Sequence, residues 1–162
     1  MRVFAVIAVL GLTACPSNPC TPGGDPQMVI GTGDLAYQAM PAELELIHGQ
    51  QGGYHVVLGF QMTQMLGDEL IAGTVTGALN GQERASTSPW LQMSCVDRKL
   101  ESHGTNLIFR DDFVPEDAIG QSLSISATFD DLEGNTVSGS TDVLIIDTVD
   151  ENPEEEPEDT GL

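Results

Sequence analysis

Apolar and polar residues alternate with a period of two along most of this chain, the pattern of half-buried β-strands. Between Gln121 and Asp130, Leu123, Ile125, Ala127 and Phe129 alternate with Ser122, Ser124, Ser126 and Thr128. One face of that strand is therefore apolar and the other carries hydroxyls. The stretch DLEGN (Asp131 to Asn135) holds turn residues, and apolar residues return at Val137, Val143 and Ile145, flanked by Leu144 and Ile146. The two runs predict a terminal hairpin whose second strand covers Thr136 to Asp147. Tyr54, Val56, Leu58, Phe60 and Met62 share one face of another strand, opposite His55, Val57, Gly59 and Gln61. Ile71, Val75 and Leu79 share a further face with Gly73 and Gly77. Shorter strands are predicted at Met28 to Ile30, Leu44 to Ile47, Met93 to Val96 and Asn106 to Phe109, and one helical turn at Pro115 to Ala118. Seven to nine short strands in about 120 residues predict an all-β fold, a single immunoglobulin-like β-sandwich. A small barrel or a jelly roll is the alternative. The bridged cysteine pair around a buried Trp that marks antibody domains is missing, since Trp90 has only Cys95 nearby.

The ends of the chain follow different rules. Met1-Arg2 gives a positive start and Val3 to Leu12 (VFAVIAVLGL) an unbroken apolar and small stretch. Ten residues at 1.5 Å rise cover about half of a ~30 Å hydrocarbon core, which suits the central region of a signal peptide and not a resident span. Leu12-Thr13-Ala14-Cys15 follows at once. This tetrapeptide resembles the lipobox of bacterial lipoproteins. The resemblance implies cleavage between Ala14 and Cys15, a thioether diacylglycerol on Cys15 and acylation of the new amino terminus. The alternative is an ordinary signal peptide cut elsewhere, with Cys15 in a disulfide. Pro16 and Ser17 come next, with no Asp to suggest retention at an inner membrane, so the expected address is the outer membrane or cell surface. The expected organisation is a signal peptide at 1–14, the lipidated Cys and a Pro- and Gly-rich flexible tether at 15–26, the sandwich at 27–149, and an acidic tail at 150–162. Seven of the ten residues from Asp150 to Asp159 are acidic, and like charges at that density keep a tail extended and disordered.

Charge narrows the partners. The 162 residues carry 5 Lys+Arg against 25 Asp+Glu, a formal net charge of −20. Such a surface repels phosphate backbones, so nucleic acid is excluded as a partner. Arg84, Arg98, Lys99 and Arg110 are the cations left after the signal peptide, and ion pairs with neighbouring carboxylates are expected for them. Once Cys15 is lipidated, Cys20 and Cys95 remain. In an exported chain a bridge between them would close a loop of 95 − 20 = 75 residues and add about 4 kcal/mol of stability. The alternative is a buried free Cys95 and an exposed Cys20.

The most distinctive polar segment is His48-Gly49-Gln50-Gln51-Gly52-Gly53-Tyr54-His55. Three Gly around two Gln predict a tight loop entering a strand. His48 and His55, with His103 as third ligand and Met62, Met65 or Met93 nearby, would suit copper or zinc. The competing reading is a structured loop whose His and Gln bond backbone groups. Preceded by Ile30-Gly31-Thr32-Gly33, this segment resembles a group of uncharacterised lipoproteins of myxobacteria and their relatives. That resemblance covers about Ile30 to Phe60 and implies an exported domain, with no functional residue to carry across. Gly31-Thr32-Gly33-Asp34-Leu35-Ala36 mimics a dinucleotide fingerprint, but Pro41 follows too soon for the helix that motif requires. Asp130, Asp131, Glu133 and Asn135 are either Ca²⁺ ligands or a plain turn. No Gly-x-Ser-x-Gly motif occurs, and the Asp159-Thr160-Gly161 triplet falls in the tail with no second copy.

The sequence therefore predicts a lipid-anchored, non-catalytic envelope protein without a cofactor. Its partners would be a membrane, through the anchor, and an envelope protein or glycan contacted by loops of the sandwich. The loop carrying His48, Gln50, Gln51 and His55 is the expected contact. The alternative is a periplasmic copper or zinc protein using His48, His55 and His103.

Overall fold

The computed structural model describes residues 20, 24–50, 52–65 and 70–150, the last without its side chain. Eleven strands follow in chain order. They are β1 (Gln27–Thr32), β2 (Gln38–Ala39), β3 (Glu43–His48), β4 (Tyr54–Thr63), β5 (Leu70–Leu79) and β6 (Gln82–Thr87). After them come β7 (Trp90–Gln92), β8 (Ser94–Val96), β9 (Lys99–Ile108), β10 (Ser122–Asp130) and β11 (Thr136–Asp150). A 3-10 turn at Pro115–Asp117 is the one helical element among the described residues, where the sequence predicted a single turn.

Pairing arranges β2-β1-β4-β9-β8 on one side and β3-β11-β10-β5 on the other, with β6 and β7 both on the outer edge of β5. Every pair is antiparallel except β3 with β11. The sides join at one corner, where β3 and β4 share two rungs, Ile47↔His55 and His48↔Tyr54. They touch again at a single bridge, Ala85↔Phe109. Their inner faces meet across the core. Phe60 of β4 packs edge-on against Phe129 of β10 with ring centroids 4.9 Å apart, although those strands share no rung. Likewise, a Cβ placed on Gly139 of β11 would lie 3.1 Å from the Met28 side chain of β1. Two layers, antiparallel but for the β3–β11 pair, pack with interdigitating inner faces and make the all-β sandwich that the sequence predicts.

Alternation explains why the layers close. Strand β10 buries Leu123, Ile125, Ala127 and Phe129 and exposes every residue between them. In β4, Val56, Leu58, Phe60 and Met62 are all fully buried. Gly73 leaves space for the Phe129 ring, since a Cβ there would come within 2.2 Å of it. Asp131 is buried in the β10–β11 turn and spends both oxygens on it. Its Oδ1 accepts the backbone N–H groups of Glu133 and Asn135 at 3.0 and 2.8 Å, and its Oδ2 accepts Asn135 Nδ2–H at 2.8 Å. That arrangement is the plain turn, not a calcium loop.

Three expectations change. There are eleven strands rather than seven to nine. The strand expected at Met93 to Val96 starts one residue later, as β8, because the buried Met93 separates it from β7. And Asn106 to Phe109 is the end of β9, which closes at Ile108, followed by the isolated bridge at Phe109; burial parity along β9 slips at a bulge. Leu100 and Ser102 point inward, His103 and Gly104 are both exposed, and Thr105 and Leu107 point inward again. The slip occurs opposite Gly59, where Gly104 takes φ +69°.

Cys20 and Cys95 are joined by a disulfide with Cα atoms 5.9 Å apart. Cys20 is the buried partner and Cys95 the exposed one, the reverse of what the free-thiol alternative expects. The bond ties the segment ahead of β1 to β8. Two outcomes follow for urea unfolding of the purified protein. Phe129→Ala should cost about 3–5 kcal/mol by opening a cavity opposite Phe60. Cys95→Ser should cost about 2–4 kcal/mol while leaving the far-ultraviolet circular dichroism of the sandwich in place.

Candidate functional site

The His48–His55 segment is the β3–β4 hairpin loop. Gly49 N–H donates to the Gly53 carbonyl at 3.0 Å and Gly52 N–H to the Gly49 carbonyl at 2.9 Å. Gly52 and Gly53 take φ +81° and +86°, a conformation that favours glycine. His48 is half-buried and stacks on Tyr54 with centroids 4.9 Å apart. Tyr54 meets Phe113 edge-on, and Phe113 packs on Phe109. This row of rings fastens the loop to the sandwich, so His48 has a packing role. Gln50 is exposed on the loop, while Gln51, like Cys15, lies outside the described residues.

His55 points to the other face. The register places it beside Ile47, whereas His48 sits beside Tyr54, and residues on adjacent rungs face opposite ways. It lines a shallow pocket of about 340 Å³ with Asp34, Val57 and Asn106. His103, on the β9 bulge, lies 2.7 Å through Nδ1 from the Asp34 carbonyl oxygen. A carbonyl only accepts, so the proton sits on Nδ1. Among the described residues no group of three or more His, Cys, Asp or Glu could hold a metal ion. The alternative copper or zinc set of His48, His55 and His103 is therefore not assembled, because strand alternation sends His48 and His55 to opposite faces.

The Gly31 motif has a steric explanation. Gly31 and Gly59 are register partners on β1 and β4. A Cβ on Gly31 would lie 2.6 Å from the Tyr37 ring, and one on Gly59 3.2 Å from it. The two glycines form a shelf for Tyr37, and a strand follows Gly31 where a dinucleotide site needs a helix. Among the expected cations, Lys99 donates to Gln61 Oε1 at 2.9 Å, and Gln61 Nε2 donates to Glu101 at 2.8 Å. An amide therefore relays between Lys99 and Glu101 where a direct ion pair was expected. Arg110 lies 3.8 Å from Asp112, both well exposed.

One further concavity is one the sequence did not suggest. A cleft of about 620 Å³ opens between β7 and β9, lined among others by Trp90, Gln92, Glu101, Ser102 and Asn106. It exists because β9 pairs with β8 only over Lys99 to Glu101 and next meets another strand on that edge at Phe109. Trp90 is 67% exposed on one wall. Ser102 is 4% exposed, and its Oγ has no hydrogen-bond partner among the described residues. The register adds a backbone group. Phe109 N–H donates to the Tyr54 carbonyl, so residues 105, 107 and 109 bond to β4 and Asn106 turns its N–H and C=O to the cleft edge. A lone exposed Trp after Pro89 was the available signal, but exposure and the missing rungs depend on strands distant in sequence.

No protein-family model matches the chain, and no curated protein does. Among solved structures, the CooA pilin subunit from enterotoxigenic Escherichia coli is similar, at 9% sequence identity and a TM-score of 0.30, over 72% of this chain and 97% of that one. Nothing about activity, partners or assembly follows from a likeness at that level.

Tyr37 supplies a pH test of this face. Burial raises the pKa of its phenol above the ordinary value of 10.0, and the neighbouring Glu101 carboxylate raises it further. The unfolded chain therefore loses this proton first. The stabilisation is complete below pH 10 and declines as pH rises through the higher folded value. Phenolate absorbance should show a component titrating above pH 10 that Tyr37→Phe removes, and the variant's unfolding midpoint should fall less between neutral and strongly alkaline pH.

Proposed function

We propose that this chain is a lipid-anchored cell-envelope protein presenting a non-catalytic β-sandwich as a binding or structural module. The observation that carries the reading is the apolar stretch Val3 to Leu12 running directly into Leu12-Thr13-Ala14-Cys15. Small residues ahead of the cysteine let a peptidase close on the bond, and the thiol supplies the nucleophile for lipid attachment. Two or three acyl chains, at about 0.8 kcal/mol per buried methylene, hold a protein at a membrane essentially permanently. The Cys20–Cys95 disulfide supports export, because such bonds persist in oxidising compartments and are rare in the cytosol. Pro16 and Ser17 after the modified residue favour the outer membrane or surface.

On this reading the mechanism is presentation. The anchor fixes the protein, the chain after Cys15 is the tether, and the sandwich offers its surfaces to a partner outside the cytoplasm. Cells fed labelled palmitate should incorporate label into the wild-type protein and not into Cys15→Ser, and the variant should move from the detergent phase to the aqueous phase on partitioning. Label retained in Cys15→Ser would remove the anchor from this account.

A further inference from the structure

We infer that the cleft between β7 and β9 binds a neutral oligosaccharide, with Trp90 as the stacking platform and Ser102 at its floor. The inference rests on the reading of the chain as a non-catalytic envelope module and names its ligand class. Its volume of about 620 Å³ lies in the range of small-molecule sites. A buried hydroxyl without a partner is destabilising until water or a ligand satisfies it, and among the described residues Ser102 Oγ is such a group.

The chemistry around that hydroxyl selects the class. Gln92 and Asn106 both donate and accept, Glu101 accepts, and the Asn106 backbone turns a donor and an acceptor to the same edge. A set that mixes donors and acceptors in this way matches sugar hydroxyls, which do both. Trp90 offers a flat apolar face at the rim, which suits the C–H face of a pyranose ring. A purely apolar ligand would leave the polar floor unsatisfied. The net charge of −20, with Glu101 in the lining, disfavours an acidic sugar.

Trp90 is the only tryptophan in the chain, so its fluorescence reports occupancy of this cleft directly. The full-length protein in detergent would be titrated with maltotriose, cellotriose, mannotriose and chitotriose, with sialyllactose and a lysine-rich peptide as contrasts. The expected result is a saturable change with at least one neutral sugar, weakened about tenfold in Ser102→Ala and in Gln92→Ala. Because Ser102 Oγ has no partner among the described residues, Ser102→Ala should unfold at the wild-type urea concentration or above it, which separates lost binding from lost folding. The proposal is overturned by no saturable response to any of the four sugars, by a response to the lysine-rich peptide or sialyllactose alone, or by undiminished affinity in Ser102→Ala. Chromatography of the incubated sugar keeps the underlying reading separate: binding with cleavage products would uphold the saccharide site and sink the non-catalytic module, and Cys15→Ser should bind as the wild type does.

Discussion

The contact between the inner faces of the two layers is what the rest of this structure depends on. Phe60 and Phe129 meet edge to face at its centre, from strands that share no rung. Burial of aromatic surface there is the main reason the β4 side and the β10 side stay together, since backbone bonds join them only at a two-rung corner and a single bridge. Side-chain packing closes the fold, and hydrogen bonding then fixes its register. The glycines read the same way: Gly73 makes room for Phe129, and Gly31 with Gly59 for Tyr37.

That dependence explains what could be read from the chain. Strand β10 was legible because all nine of its residues obey one parity, and β11 because the DLEGN turn pins it opposite. The first half of β9 was not, because the bulge at His103 and Gly104 shifts its inward positions by one residue. Strand β6 was hidden for another reason. Ala85 is its one buried residue, so it has no apolar alternation, and its only local mark is the Asn80-Gly81 turn with φ of +52° and +74°. Among the described residues the Pro115 turn is the one helical element, where the sequence predicted a single turn.

The candidate sites divide along the same line. A tight glycine loop between His48 and His55 was visible from composition, and so was its bond to a strand. What the sequence could not display was the direction of each histidine relative to the sheet corner, which sends His48 into a row of aromatic rings and His55 to the opposite face. The cleft beside β9 is a gap between edges whose strands are assembled from distant parts of the chain. Nothing near Ser102 in sequence announces that its hydroxyl is enclosed with no partner among the described residues.

The cystine between Cys20 and Cys95 also sets a length. With Cys15 held in a bilayer and the cystine intact, five residues separate the membrane from β8, a reach of at most about 18 Å. Measured instead to the start of β1 at Gln27, the separation is twelve residues, at most about 43 Å of extended chain. If Cys15 carries the proposed anchor, one covalent bond limits how far the sandwich can stand from the headgroups, and the thiol chemistry of the surroundings would act on altitude as well as on stability.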